Sequence, residues 1–461
     1  MKLTVLGAGV RTPLLLKGLV RRALPVEEVV LHDSNPHRLE TMTRFSSYLC
    51  ERWGAGFKLR PEPLARAAIE DAGFVLSAVR VGGDDARVID EEVPLKHDVL
   101  GQETTGPGGF AMALRTIPVA LGFARLIEAH APQAWLINFT NPAGLITEAL
   151  TRHSAVKVIG ICDSPTGMKR SIAAVLGVHG DNVDLDYFGL NHLGWVRRVL
   201  VDGHDRLPEL LERYGELQRV DHAAAPFDAE LVRDLEMLPN EYLYYFYYRE
   251  RAVANIKRSG ATRARELQSL NAELWRALGA SVATGGFAAA QHAYEHALLK
   301  RSASYMAREC SSDPRPTASD DLFEGEGYEG LAMAVMTAIT SGLDTPLIVN
   351  VPQRGAVEGF DDGDVFELPC RLGAGGATPI PVGRVPDVCT ALLGPVKAYE
   401  KLTVQAAVDG SYGTAVRALS IHPLVASYSL ARVILGEYLE QHGDALSHLG
   451  GAGPAPGSRS H

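Results

Sequence analysis

Lys2-Leu-Thr-Val-Leu-Gly-Ala-Gly-Val-Arg-Thr-Pro13, followed one helix length later by Val29-Val-Leu-His-Asp33, is the stretch that decides the fold. Residues 2–6 and 29–33 read as short buried strands, and the leucine spacing from Pro13 to about Ala23 reads as the helix between them. That is one βαβ unit. Gly7-Ala8-Gly9 closes the first strand and opens the helix, where glycine lets the backbone approach a diphosphate that the helix N-terminus attracts. The third glycine of that fingerprint is missing, because Thr12-Pro13 stands in its place. Asp33 restores the signal: it ends the second strand 26 residues after Gly7, where a carboxylate accepts hydrogen bonds from ribose hydroxyls. A dinucleotide is therefore expected, held by Gly7, Gly9, Val10, Arg11, Asp33, Arg38, Val79 and Arg80. Asp33 repels a 2′-phosphate and favours NAD over NADP, although Arg38 nearby pulls the other way.

Working outward, Phe74–Val79, Ala134–Phe139 and Val156–Ile161 are further strands, each followed by a turn and a helical pattern. A parallel, doubly wound α/β sheet over residues 1–183 follows, as a dinucleotide-binding domain. From Asp184 the pattern changes. Val183–Phe188 and Val196–Val201 read as strands around a Gly-Leu-Asn-His turn, residues 226–300 read as mainly helical, and 184–447 is expected to be a mixed α/β substrate domain. Residues 448–461 have almost nothing to bury and are expected to be a disordered tail.

The 461 residues are 46% hydrophobic and 22% charged, enough for a large layered enzyme core. No run of about 18 uncharged apolar residues and no signal-peptide pattern is evident, so the cytoplasm is the expected compartment. Five scattered cysteines without CxxC spacing argue against a disulfide framework or a zinc ribbon. The net charge of −10 is spread along the chain and gives no footprint for nucleic acid or a membrane surface.

Five segments carry more polar residues and glycine than packing needs, and the first four fall at the carboxyl ends of the strands. They are Arg80-Val-Gly-Gly with Arg87; Gly101-Gln-Glu-Thr-Thr-Gly-Pro-Gly-Gly109; Asn138-Phe-Thr-Asn-Pro142; Cys162-Asp-Ser-Pro165; and Gly189-Leu-Asn-His-Leu-Gly194. With Pro239-Asn-Glu-Tyr-Leu-Tyr-Tyr and Arg263-Ala-Arg-Glu they resemble, in order and spacing, the NAD- and divalent-metal-dependent family 4 glycoside hydrolases, and within them the 6-phospho-β-glucosidases. The resemblance is strong over residues 1–270 and looser beyond. It implies a dehydrogenase-like arrangement of domains, as in lactate and malate dehydrogenases, and a homodimer or homotetramer.

It also implies a redox-neutral hydrolysis of phosphorylated glycosides: oxidation of the sugar C3 hydroxyl by NAD+, removal of the acidified C2 proton, elimination of the aglycone, addition of water and return of the hydride. Cys162 and His192 match the metal ligands, a set suited first to manganese, with iron, cobalt or nickel as alternatives. Tyr242 matches the C2 base and Glu103 a residue that tunes it. Asp163 matches a general acid. Arg87, Asn141 and Arg263 match substrate ligands, the arginines for the 6-phosphate. Taken alone, Cys162 reads as a buried thiol, Asn141 as an Asx-Pro turn, and Tyr242 as one of several packing tyrosines.

Asp163 departs from the β-specific pattern, which carries Asn there, and matches the α-specific relatives. Thr105 and Leu238-Pro-Asn-Glu-Tyr-Leu point back to β. Asn350-Val-Pro-Gln-Arg-Gly355 follows the family only loosely, and is expected to shape the aglycone side differently. Two other readings share the fold: a 2-hydroxy-acid dehydrogenase, which lacks its usual Asp-to-His pair here, and an NAD-sensing binding protein, which has no use for a metal pair.

Overall fold

The computed structural model describes residues 1–22, 24–221, 224–311 and 327–450. Six strands rich in Val, Leu and Ile form first: β1 (Lys2–Leu6), β2 (Glu28–His32), β3 (Lys58–Pro61), β4 (Phe74–Ser77), β5 (Trp135–Asn138) and β6 (Lys157–Gly160). They pair in parallel in the order β3-β2-β1-β4-β5-β6. Helices cover both faces, so the central strands β1 and β4 are almost wholly buried. The strand order reverses between β1 and β4, and the crevice at their carboxyl ends is where such sheets take ligands.

The chain then builds a second, antiparallel sheet from β7 (Val183–Leu190), β8 (Leu193–Val201), β9 (His204–Asp205) and β10 (Leu238–Pro239). Residues 229–303 are largely helical, as the sequence pattern predicts. The late strands β11 (Thr345–Pro352), β12 (Val365–Gly373) and β13 (Gly376–Pro379) return to the first sheet. β11 joins β6 antiparallel through Asn350 and Gly160, which makes nine strands in all. The result is an α/β fold with one large mixed sheet and one small one. The closing turn Gly443–Leu449 buries Leu446 and Leu449, and residues 451–461, on which most of the expected disordered tail falls, lie outside the described residues.

Helix Gly106–His130 packs at the centre of the first layer. Among the described residues it alone is long and apolar enough to cross a membrane by composition, and 67% of its apolar stretch is buried inside this fold.

A buried ion cluster ties the late strands to the parallel sheet. Lys397 Nζ, on helix Asp387–Asp409, lies 2.5 Å from Glu148 Oε2 and 2.5 Å from Glu400 Oε2, and donates to the Val365 carbonyl at 2.7 Å. Burial pushes the Glu400 carboxyl upward while Lys397 draws it down. Lys397→Met leaves two buried carboxyls without their cation and is expected to cost about 3–5 kcal/mol at pH 8. Without the ammonium, folded-state carboxyl pKa values rise above their unfolded values, so the variant's deficit shrinks as pH falls and the folded state takes up protons. Urea unfolding midpoints at pH 6 and pH 8 check this; equal deficits at both would contradict it.

Candidate active site

At the turn after β1, Gly7 has φ +98°, and a Cβ there would lie 2.8 Å from the Ala78 carbonyl oxygen after β4. Glycine at this position is a packing requirement of the crevice. Gly9 differs: a Cβ there would meet nothing within 4 Å, leaving the open backbone that a diphosphate needs beside the N-terminus of helix Thr12–Arg22. Asp33 stands just past β2, accepts the Asn35 N–H at 2.8 Å through Oδ1, and leaves Oδ2 unengaged by any described residue. Arg38 lies over the Trp275 ring at 5.0 Å. Val10 accepts a 2.7 Å hydrogen bond from the Tyr294 hydroxyl through its carbonyl, and the Val79 N–H donates to Thr140 Oγ1 at 3.1 Å. These residues fit a dinucleotide along the crevice.

Cys162 follows β6, and His192 sits in the two-residue turn between β7 and β8 with φ +65°, a left-handed conformation that histidine tolerates better than most residues. Their side chains meet with Cys162 Sγ 3.4 Å from His192 Nε2, both buried. A thiolate at about 2.3 Å and an imidazole at about 2.1 Å from one cation, near the tetrahedral angle, stand about 3.5 Å apart. The pair therefore has the separation of two ligands on one ion. His192 Nδ1 is 2.8 Å from Thr104 Oγ1, which leaves Nε2 for the metal once Nδ1 carries the proton. Burial drives His192 down to about 3, so the ring is neutral and ligand-ready.

The surroundings supply negative charge. Burial, then Glu367 and Asp163, holds the Cys162 thiol well above its ordinary value, a situation that a cation reverses. Glu367 on β12 is 1% exposed and accepts hydrogen bonds from Tyr187 Oη (2.6 Å), Asn191 Nδ2 (3.0 Å) and Asn350 Nδ2 (3.1 Å). No cation lies within ion-pair distance of Glu367 among the described residues. Glu241 accepts from Ser164 Oγ at 2.6 Å and Tyr305 Oη at 3.4 Å, and its Oε2 is buried with no hydrogen-bond partner among the described residues. Burial raises Glu241 and Glu367 each to about 7. Asp163 stands at the N-terminus of helix Ser164–Leu176 beside this group. Among the described residues no third His, Cys, Asp or Glu joins the pair in a metal cluster.

The tyrosine crowd is resolved by its geometry. Tyr242 alone stacks on His192, with ring centroids 3.5 Å apart and planes 3° from parallel. Tyr244 stacks on Tyr248, and the Tyr247 hydroxyl accepts the Trp195 indole N–H at 3.3 Å. Burial, then Glu241 and Cys162, keeps the Tyr242 phenol well above 10 in the absence of a cation.

Glu103 faces arginines: its Oε2 lies 2.6 Å from Arg80 and 2.9 Å from Arg87. Burial alone would raise it, but Arg80, Arg87 and Arg301 hold it well below the carboxylate range. Arg87 also pairs with Glu91 at 2.8 Å, whose other oxygen accepts the Ala264 N–H at 2.8 Å and so brings the Arg263 segment alongside. The Asn141 amide makes no hydrogen bond with a described residue and is half-buried. Sequence reasoning missed Thr104, Glu241, Glu367 and Arg301. Glu367 carried a signal, a carboxylate inside the apolar run Val365-Phe-Glu-Leu; Thr104 stood unremarked inside a motif already singled out.

Thr104→Val is expected to weaken manganese binding about 10–100-fold, and Cys162→Ser or His192→Ala more, read from free Mn2+ by electron paramagnetic resonance during titration. An unchanged dissociation constant in Cys162→Ser would remove the pair as a metal site.

The chain matches the family model "Family 4 glycosyl hydrolase" over residues 2–178 and "Family 4 glycosyl hydrolase C-terminal domain" over 187–425. It is 32% identical over 458 residues to a probable 6-phospho-β-glucosidase of Bacillus subtilis, covering 96% of each chain. It is 30% identical over 461 residues to a phospho-α-glucosidase of Clostridium acetobutylicum, covering 95% of this chain and 96% of the relative. The solved 6-phospho-β-glucosidase of Thermotoga maritima with manganese, NAD+ and glucose 6-phosphate superposes with a TM-score of 0.79 at 28% identity, covering 95% of this chain and 98% of that one. A malate dehydrogenase of Plasmodium falciparum shares the fold at a TM-score of 0.51 and 13% identity, covering 89% of this chain and 99% of that one. The likeness to the dehydrogenase is one of architecture, and neither a dehydrogenase nor a sensor reading accounts for both family models. With matches across both halves of the chain and a cysteine–histidine pair set for a divalent cation beside a dinucleotide crevice, this protein belongs to the NAD- and metal-dependent family 4 glycosyl hydrolases.

Proposed function

We propose that the chain hydrolyses 6-phospho-β-glucosides to glucose 6-phosphate and an aglycone by redox-neutral oxidation, elimination, addition and reduction. The observation that carries this reading is Tyr242 stacked on His192 beside Cys162, which sets a proton acceptor against the metal pair. When bound, NAD+ would supply a hydride acceptor and a divalent cation Lewis acidity.

The chain's own residues do the rest. Cys162 and His192 would hold the cation. Tyr242 takes the C2 proton, and Thr104 keeps His192 turned toward the site through Nδ1. Asp163, at a helix start one residue from Cys162, protonates the leaving oxygen. Asn141 offers an unengaged amide to a sugar hydroxyl, and Arg87 and Arg263 supply positive charge for the 6-phosphate. Residues 1–183 carry the dinucleotide crevice together with Arg87, Asn141, Cys162 and Asp163, 184–447 add His192, Tyr242 and Arg263, and the expected boundary at 183 is crossed by β11 to β13, which join the first sheet.

A second reading is favoured by one observation. Asp163 is a carboxylic acid where the β-specific pattern has Asn, which suits cleavage of α-linked 6-phosphoglucosides. Curated relatives of both kinds support keeping it open.

The test is a panel of p-nitrophenyl α- and β-glucosides and galactosides, with and without 6-phosphate, assayed with NAD+ and manganese. The expected result is p-nitrophenol release from the 6-phospho-β-glucoside alone, abolished by chelation and restored by manganese, with no net accumulation of NADH. Turnover that survives removal of both NAD and metal would overturn the proposal; turnover confined to the α-anomer would replace it with the second reading.

A further inference from the structure

The arginines that the sequence offers for the phosphate are already engaged. Arg87 is shared between Glu91 and Glu103. Arg263, 7% exposed, spends its fork on the end of helix Phe287–Ala303: Nη1 donates to the Ser304 carbonyl at 2.6 Å and to Ser304 Oγ, and Nη2 donates to the Arg301 carbonyl at 2.7 Å. Arg80 is paired with Glu103.

Arg301 is different. It lies on the last turn of that helix, seven residues after Tyr294, hence on the same face and about 10 Å along the axis. Tyr294 fixes that face against the glycine turn through its bond to the Val10 carbonyl. The Arg301 backbone carbonyl is held by Arg263 Nη2, which sets Arg301 beside the Arg263 segment, and Arg11, Arg87, Glu103 and Arg263 are the charged groups near enough to act on its guanidinium. It makes no hydrogen bond or ion pair with any described residue. Burial and the charge of Arg11 and Arg87 pull it down to about 9, the mark of a cation crowded by like charge with too few anions. A partly buried guanidinium in that setting wants an oxyanion.

We propose that Arg301 is a specificity-determining residue that binds the substrate's phosphate monoester dianion, with Arg87 and Arg263 acting mainly to position it. The inference rests on the reading of a 6-phosphorylated substrate and adds the donor that reads the phosphate. The Arg263 fork holds the Arg301 carbonyl and the last turn in place, so the donors of Arg301 stay free for the ligand. The same crevice takes the dinucleotide diphosphate, and the experiment separates the two anions.

The NAD- and manganese-loaded protein is titrated calorimetrically with glucose 6-phosphate, glucose and inorganic phosphate, and the NAD-free protein with NAD+, for wild type, Arg301→Gln and Arg301→Lys. Thermal midpoints of all three proteins check that they fold. The expected result is a 30–100-fold loss of glucose 6-phosphate and inorganic phosphate affinity in Arg301→Gln, partial recovery in Arg301→Lys, and unchanged NAD+ affinity. Should Arg301→Gln fail to fold, Arg301→Lys carries the test, with a 3–10-fold loss expected. Wild-type affinity for glucose 6-phosphate in both variants would overturn the inference, as would a loss confined to NAD+, which would assign Arg301 to the diphosphate. If wild type itself binds glucose no worse than glucose 6-phosphate, the phosphorylated-substrate reading fails, and this inference with it.

Discussion

Cys162 at the end of β6 and His192 in the β7–β8 turn come from different sheets, and their approach to 3.4 Å is the constraint on which the remaining structure hangs. β6 must be buried and in register with β5 to aim the cysteine. The hairpin must hold His192 in a left-handed conformation, and the Thr104 loop must reach across to Nδ1. β12 completes the arrangement, because Glu367 anchors Asn191, the residue before His192. Strands far apart in sequence thus share one task, which explains why the late part of the chain returns to the first sheet.

The site divides by charge. Around the metal pair lie Asp163, Glu241 and Glu367, buried carboxyls whose cost is offset when a divalent cation arrives. Toward the glycine turn lie Arg80, Arg87, Arg263 and Arg301, with Glu103 between the two groups. Tyr242 sits at the Cys162–His192 end, stacked on the histidine. The phosphorylated sugar proposed as substrate matches this polarity.

Much of this was legible in the sequence because it was local. β1, the helix after it and β2 follow from apolar runs and one glycine turn, and the seven strands expected lie within a residue or two of those observed, apart from an earlier start to β8 at Leu193, whereas β3 and β9 to β13 have no counterpart in that reading. Cys162 and His192 stood out only because their motifs match the family's metal ligands; taken alone, the cysteine reads as a buried thiol. What was hidden depended on long-range pairing. Asn350, expected to shape the aglycone side, pairs with Gly160 and donates to Glu367, a placement that no local pattern reveals. Arg301, in the last turn of its helix, has the placement of ordinary helix-dipole compensation and carries no local signal.

In the proposed reaction the sugar is transiently oxidised at C3 so that its C2 proton can be removed. Turnover of a 6-phospho-β-glucoside in D2O, with the glucose 6-phosphate product read by proton NMR, tests it most directly. Deuterium at C2 with the hydrogen at C3 retained is expected. A product that keeps its C2 hydrogen throughout would contradict it and point to direct displacement at the anomeric carbon.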